Sequence, residues 1–180
     1  MEFKIAIIGP ENAGKSSIMN ALFGKYVSFV SEVGGTTKMP IKKYWGKIKI
    51  GRKKQPEFAD LIFIDLGGLY TERDKESPLK PGVLKKTFEV IEDADMIIHV
   101  VDGKIGLLRN FERLHHLLKF RYQKPIIVVI NKSDLLSEDD KIKIKKYIEE
   151  RLKNEPLLIS AKTGEGIEDL LNLIISYLKR

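Results

Sequence analysis

The sequence predicts a three-layer α/β domain in which a mostly parallel, six-stranded sheet carries helices on both faces. Short apolar runs alternate with longer segments of helical period along the chain. A glycine-rich stretch separates the first apolar run from the first helical segment. A lysine-rich segment with partly alternating apolar residues adds one antiparallel edge strand. The length of 180 residues fits a single domain that spans residues 1–180.

Five of the predicted strands are short runs that are nearly continuous in Ile, Val and Leu. This pattern is typical of parallel strands, which are buried on both faces. The runs cover residues 3–8, 61–64, 96–101, 126–130 and 157–159. The sixth strand is the first half of a hairpin, because residues 39–50 alternate imperfectly and residues 51–56 form a turn pattern.

The helices are predicted between these runs, over residues 15–23, 81–91, 107–120, 138–152 and 167–178. The third has a clear apolar stripe at helical spacing. The stripe consists of Leu107, Phe111, Leu114, Leu117 and Leu118. Alternation of strands and helices predicts the parallel sheet with its two helical layers.

The charge of the chain is concentrated in one segment. The net charge is +7, but residues 33–56 carry eight Lys or Arg and no acid, so the other residues sum to −1. This distribution indicates a basic surface patch, which we place at residues 38–54. Tyr44 and Trp45 lie inside it. Two interpretations remain open: contact with RNA or the ribosome, or lysines that protect an exposed sheet edge or meet a protein partner.

The composition also bears on the compartment. The chain has no cysteine, which excludes disulfides and thiolate metal sites and favours a reducing compartment. Its first residues show no signal-peptide pattern, and its apolar runs are too short to span a membrane. We therefore expect a cytoplasmic protein.

Residues 9–16, with the sequence Gly-Pro-Glu-Asn-Ala-Gly-Lys-Ser, follow the first strand and open the first helix. This is the phosphate-loop pattern in the strand–loop–helix context it requires. Backbone N–H groups would surround a phosphate, Lys15 would hold the β- and γ-phosphates, and Ser16 would bind magnesium. The alternative is a glycine-rich turn with an incidental lysine. The predicted contacts are Gly9, Asn12, Ala13, Gly14, Lys15, Ser16 and Ser17.

A second motif, Asn-Lys-Ser-Asp at residues 131–134, ends the strand at 126–130. The Asp134 carboxylate can accept hydrogen bonds from guanine N1–H and from its 2-amino group, which adenine does not offer in that arrangement. The Lys132 stem can lie against the base, and the Ala161 amide can reach guanine O6. The predicted base contacts are Asn131, Lys132, Asp134, Ser160, Ala161 and Lys162.

With these motifs the chain resembles the translation-factor-related P-loop GTPases, and within them most closely the Era, TrmE and EngA group. Five motifs stand in the family's order over nearly the whole chain: residues 9–16, 36–37, 65–68, 131–134 and 160–162. Gly-Thr-Thr-Lys at 35–38 is similar to the group's first switch segment. Residues 92–97 and 100–102 also resemble the group.

The resemblance implies roles for further residues. Thr37 would bind magnesium and sense the γ-phosphate, with Thr36 beside it as the alternative. Asp65 would hold magnesium through water, and the Gly68 amide would touch the γ-phosphate. The predicted catalytic residues are thus Lys15, Thr37 and Gly68, and the predicted magnesium ligands are Ser16, Thr37 and Asp65.

Two positions bear on hydrolysis. Leu69 stands where many GTPases have a glutamine that orients the attacking water, and the group shares this apolar substitution. In some members a potassium ion, held by the phosphate-loop asparagine, supplies charge instead. Asn12 stands at that position, and the alternative is that it only satisfies loop backbone. Arg73 is the other cation near the switch, although a solvated loop arginine is the simpler interpretation.

The resemblance implies a GTP- and GDP-binding switch with slow, magnesium-dependent hydrolysis, an unidentified protein effector and a possible nucleotide-dependent dimer. The alternative is a nucleotide-stabilised RNA- or protein-binding module without turnover. Glu11 and Gly67 depart from residues common in the group. Among the histidines, His99 is predicted to be a core residue, whereas His115 and His116 have no metal-ligand spacing.

Overall fold

The computed structural model describes residues 1–23, 41–49, 57–66 and 79–179. In this part of the chain the sheet has the order β2-β3-β1-β4-β5-β6. Its strands are β1 (Glu2–Ile8), β2 (Ile41–Lys49), β3 (Phe58–Asp65), β4 (Met96–Asp102), β5 (Ile126–Asn131) and β6 (Leu157–Leu158). Strands β1 and β3 to β6 are parallel, and β2 pairs antiparallel with β3.

Helices cover both faces of the sheet. They are α1 (Lys15–Phe23), α2 (Pro81–Asp93), α3 (Arg109–His116), α4 (Glu138–Leu152) and α5 (Ile167–Leu178). Side chains of β4 alternate between two cores: Ile98 and Val100 pack with α1 and α5, whereas Ile97 and Val101 pack with α2, α3 and α4. The predicted α/β class, with a parallel sheet between helical layers, is confirmed.

Two elements differ from their predicted bounds by three or more residues at one end, and the others by at most two. Strand β3 begins at Phe58 and not at residue 61, because pairing with β2 extends beyond the apolar run. The third helix begins at Arg109 and ends at His116, where a π-type turn over Leu117–Arg121 replaces its last turn. The turn at 51–56, most of the second switch (70–78) and the switch residues Gly35 to Lys38 lie outside the described residues.

Because β1, β3, β4 and β5 are parallel, their carboxyl ends meet at one edge of the sheet. The loops after β1, β4 and β5 therefore lie side by side, and they include the phosphate-loop and base motifs. None of the helices within the described ranges is long and apolar enough to cross a membrane.

A pair of histidines is buried between β4 and α3. His99 Nδ1 and His115 Nδ1 lie 2.9 Å apart, and both side chains are inaccessible to solvent. Asn154 donates from Nδ2 to Ile126 O, so its Oδ1 accepts from His115 Nε2 at 3.2 Å. His115 Nδ1 is then an acceptor, and His99 Nδ1–H donates to it. The prediction that His99 is a core histidine is confirmed.

Burial makes this pair hard to protonate. It lowers the pKa of His99 well below the ordinary value of 6.5, and lowers the pKa of His115 to about 4. In the unfolded chain both would titrate near 6.5. Below that pH the unfolded state therefore binds more protons than the folded state, and stability falls as the pH falls.

We expect the free energy of unfolding to fall by about 3 kcal/mol between pH 6.5 and 5, with about half of the change from each histidine, at about 1.4 kcal/mol per pKa unit. Urea denaturation at several pH values measures it. His115→Gln should roughly halve this slope, because His99 remains buried and still resists protonation, whereas His116→Gln, on the outer side of α3, should keep it. A wild-type free energy that is constant over this range, or an unchanged slope in His115→Gln, would contradict the argument.

Candidate nucleotide-binding site

The loop between β1 and α1 depends on glycine at both ends. Gly9 has φ +152°, and a Cβ there would lie 2.6 Å from the Val100 carbonyl oxygen. Gly14 has φ +88°, and a Cβ there would collide with Asn131 Nδ2. Between them Asn12 also adopts a left-handed conformation, with φ +66°, which asparagine tolerates better than most residues. The loop is therefore packed directly against β4 and β5.

Lys15 turns its ammonium group back into this loop. Its Nζ donates to Gly9 O at 2.8 Å and to Pro10 O at 2.7 Å, and the residue is only 6% exposed. Burial lowers the pKa of Lys15, while the negative charges of Asp65 and Glu11 oppose that change. A partly desolvated cation lined by carbonyl oxygens has strong affinity for an anion that enters the loop.

Two side chains with oxygen atoms that could bind a metal lie near the Lys15 ammonium group. Ser16 is exposed in the first turn of α1, with Ser17 beside it. Asp65 ends β3, is 5% exposed and acts electrostatically on Lys15. A hydroxyl and a carboxylate are ligands that suit magnesium. Thr36, Thr37, Gly67, Gly68, Leu69 and Arg73 lie outside the described residues.

Asn131 connects the phosphate loop to the base motifs. Its Nδ2 donates to Ala13 O at 2.9 Å, and its Oδ1 accepts from Ala161 N at 3.0 Å. The side chain is 3% exposed, so both bonds are shielded from water. Asn131, which the sequence predicts as a base contact, thus links the two loops with both of its polar side-chain atoms, and its contact with a base stays a prediction. The Ala161 N–H, assigned to guanine O6, is here bonded to Asn131.

Asp134 is held by a neighbouring hydroxyl. Ser160 Oγ donates to Asp134 Oδ1 at 2.7 Å, and Ser160 Oγ also accepts from Thr163 N at 3.1 Å. Ser160 is fully buried, whereas Asp134 is exposed. The structure therefore fixes one carboxylate oxygen and presents the group to solvent. Lys162 is exposed on the same loop.

Asp102 is a site residue to which sequence reasoning gave no role. Its Oδ2 accepts from Lys132 Nζ at 2.7 Å, and its Oδ1 accepts from Lys104 N at 2.8 Å. Asp102 is 2% exposed, and Lys132 has a left-handed backbone with φ +67°. The bond fixes the Lys132 side chain at the end of β5. The available signal was the position of Asp102 at the end of a strand, directly opposite Asn131.

Residues 4–132 match the family model described as 50S ribosome-binding GTPase. This chain belongs to that family. The loops gathered at the carboxyl edge of the sheet are thus those of a GTPase domain, whose ligands are GTP and GDP.

Among relatives, an uncharacterised protein of Methanocaldococcus jannaschii is 75% identical over 99% of this chain and 98% of its own length. GTPase Der of Persephonella marina is 33% identical over 95% of this chain and 37% of its own. GTPase Era of Aquifex aeolicus is 32% identical over 97% of this chain and 56% of its own. The chain therefore spans about a third of Der and little more than half of Era. The predicted resemblance to the Era group is confirmed.

Solved structures agree. Aquifex aeolicus Era bound to GDP and AlF4⁻ superposes with a TM-score of 0.72 at 28% identity, over 98% of this chain and 56% of that one. Era in complex with MgGDPNP and nucleotides 1506–1542 of 16S ribosomal RNA gives 0.71 at 29% identity, with the same coverage. The FeoB G domain of Methanococcus jannaschii, at 24% identity and TM-score 0.62, shares the fold.

Replacement of Asn131 tests whether its two hydrogen bonds stabilise the contact between the loops. Asn131→Ala leaves the Ala13 carbonyl and the Ala161 N–H without their shared partner, so the free energy of unfolding should fall by about 3 kcal/mol. Asn131→Asp keeps the acceptor but places a buried carboxylate oxygen against the Ala13 carbonyl oxygen, so it should be at least as destabilising as Asn131→Ala. Urea denaturation measures both. Asn172→Ala, at an exposed position of α5, is the matched control. If Asn131→Ala were as stable as this control, the two Asn131 hydrogen bonds would not stabilise the contact between the loops.

Proposed function

We propose that this chain is a GTP-dependent switch that binds GTP and GDP and hydrolyses GTP slowly with magnesium. The observation that carries the proposal is the pair of hydrogen bonds from Asn131, which hold a cationic phosphate loop and an exposed, oriented carboxylate at one edge of the sheet. This arrangement fits a ligand that has an anionic group at one end and the two hydrogen-bond donors of guanine at the other.

At the phosphate end, the Lys15 ammonium would exchange the carbonyls of Gly9 and Pro10 for the β- and γ-phosphate oxygens. This exchange favours the ligand because a charge-assisted bond to phosphate is stronger than one to a carbonyl. The Ser16 hydroxyl and the Asp65 carboxylate, with Thr37, would hold magnesium. Magnesium would neutralise charge on the β- and γ-phosphates.

At the base end, Asp134 would accept both guanine donors. Ser160 already orients the carboxylate through Oδ1. The Lys132 stem, anchored through its ammonium to Asp102, would lie along the base. Because the anchoring bonds exist within the protein itself, little side-chain freedom remains to be lost on binding.

Turnover needs an oriented water and positive charge between the β- and γ-phosphates. The Leu69 side chain can neither orient a water molecule nor supply positive charge, and the Gly68 amide would contact only the γ-phosphate. Asn12 is exposed on the phosphate loop, so its side-chain oxygen can help hold a monovalent cation there. We therefore propose slow basal hydrolysis that potassium accelerates.

For partners, we propose RNA or the ribosome as the macromolecule that reads the nucleotide state, through the basic segment 38–54. Two observations support it: the Era structure contains 16S ribosomal RNA, and β2, with Lys47 exposed, forms an edge of the described sheet. A protein effector and a nucleotide-dependent dimer in the cytoplasm fit the same switch. A nucleotide-stabilised module without turnover is the competing function, favoured by Leu69.

Base selection is tested with Asp134→Asn. An amide at this position meets the guanine 2-amino group with its own N–H, whereas xanthine offers an oxygen there. GTP affinity should fall at least tenfold, about 1.4 kcal/mol, and XTP affinity should rise. Titration calorimetry measures both, with Asp139→Asn on α4 as the matched control. If Asp134→Asn kept the wild-type preference for GTP over XTP, Asp134 would not read the base.

Turnover is tested by phosphate release with magnesium at equal ionic strength in potassium or sodium. We expect a basal rate below about one per minute and a several-fold acceleration by potassium. Asn12→Ala should lose the acceleration and keep nucleotide affinity, whereas Lys15→Ala should lose affinity at least tenfold. Equal rates in both salts, with Asn12→Ala no slower, would reject the cation role. Zero turnover in every salt would favour the competing module.

A further inference from the structure

The outer face of α3 has a stripe that neither the nucleotide site nor the basic segment 38–54 explains. It consists of Arg109, Arg113 and His116 on α3, whose spacing places them on one side of the helix, and of Phe120 in the π-type turn that follows, which joins them by stacking on His116. The opposite side carries the buried Phe111, Leu114 and Leu118. We call the four outward residues the α3 stripe.

Phe120 is the unusual member of the α3 stripe. Its side chain is 62% exposed. Its ring stacks on the His116 ring with a centroid distance of 5.8 Å and an interplanar angle of 11°, and Lys119 Nζ lies 5.8 Å from the ring centroid. A single exposed phenylalanine is ordinary. A ring held flat against a second ring, with a cation beside it, is a surface on which a further flat ring can stack.

The charge around this ring is positive. Residues 113–133 contain no Asp or Glu. Arg109, Arg113 and Arg121 are exposed, and within the described parts of the chain none of the three forms an ion pair. The nearby Glu112 is paired with Arg151 at 3.6 Å, so it does not offset them. An unneutralised cationic surface favours a polyanionic ligand.

Two lysines of the same region already form hydrogen bonds within the protein. Lys119 Nζ donates to the carbonyls of Leu152 and Lys153 at the end of α4. Lys124 Nζ donates to the carbonyls of Glu92 and Ala94 at the end of α2. These contacts satisfy helix C-termini. The arginines, which make no such contact, are therefore the groups available for a ligand.

We propose that the α3 stripe, together with Arg121, binds single-stranded RNA, with one base stacked on Phe120 and phosphates on the arginines. Aromatic side chains stack bases of any sequence, and arginine supplies both charge and planar contact. An acidic protein would match the charge but would not need a flat aromatic ring. The proposal takes its RNA partner from the proposed function and assigns it a second surface.

The position of the stripe suits this role. Lys124, just after the π-type turn, reaches the carbonyl of Ala94, which precedes β4. The end of α3 therefore lies at the amino edge of the parallel strands, opposite the nucleotide loops. Lys49 pairs with Phe58 at the start of β3, so the end of β2 lies at that same edge. With three or four strand spacings between them, about 15–20 Å, one RNA strand can contact both.

Fluorescence anisotropy with a labelled, unstructured RNA of about 12 nucleotides tests the proposal at low salt. Phe120→Ala should weaken binding by about tenfold, and Phe120→Trp should retain it, because stacking is worth about 1–3 kcal/mol per base. Arg109→Gln with Arg113→Gln should weaken binding and reduce the salt dependence by about 1.4 logarithmic units per decade. Leu173→Ala on α5 and the charge-matched Lys143→Gln with Lys146→Gln on α4 should bind as wild type.

GTP affinity, measured in parallel by calorimetry, should be unchanged in all these variants, which separates this inference from the nucleotide proposal. If wild type binds no RNA, or if Phe120→Ala binds as tightly as Leu173→Ala, the α3 stripe is not an RNA surface. Loss of binding only when Lys42 and Lys43 are reversed to Glu would assign the RNA to the basic segment alone. Equal loss in Phe120→Ala and Phe120→Trp would remove stacking from the account.

Discussion

The nucleotide edge of this protein depends on the two hydrogen bonds of one buried amide. Asn131 joins Ala13 in the phosphate loop to Ala161 in the loop after β6, across 118 and 30 residues of sequence. These loops belong to different strands, and nothing local in either one fixes its distance from the other. Gly14 must lack a side chain because that amide occupies the space. The parallel strands bring the phosphate and base loops together, and the Asn131 side chain links them directly.

Electrostatics reinforces this frame. Asp102, at the end of β4, accepts hydrogen bonds from two backbone amides as well as from Lys132, so its charge is compensated despite burial. A buried carboxylate without such partners would cost several kcal/mol. On the phosphate side, the Asp65 charge opposes the desolvation of Lys15. The buried charges of Asp102 and Lys15 are therefore compensated within the protein before a nucleotide binds.

Much of this architecture follows from local sequence. Continuous apolar runs predicted the parallel strands, since a strand covered on both faces has no polar side to show. Helices α1, α4 and α5 have their predicted bounds, because loop glycines or the Ser137 cap mark their first turns. The helical span predicted to end at residue 120 continues to Arg121, but its last turn is of the π type and not α, a difference that the apolar periodicity does not contain. The role of Asp102 likewise required the register of β4 against β5.

The junction at the end of α3 has a consequence for any surface built on it. Lys119 and Lys124 fasten one short turn to two neighbouring helices, so the backbone that carries Phe120 and Arg121 has little freedom to move. Side chains mounted on such a turn are preorganised, because their carrier loses no conformational entropy when something docks. The outward side chains can therefore be replaced without disturbing the two lysine contacts that hold the backbone of the turn. The backbone geometry of the turn is thus fixed by the lysines, whereas the properties of its surface are fixed by the side chains that point outward.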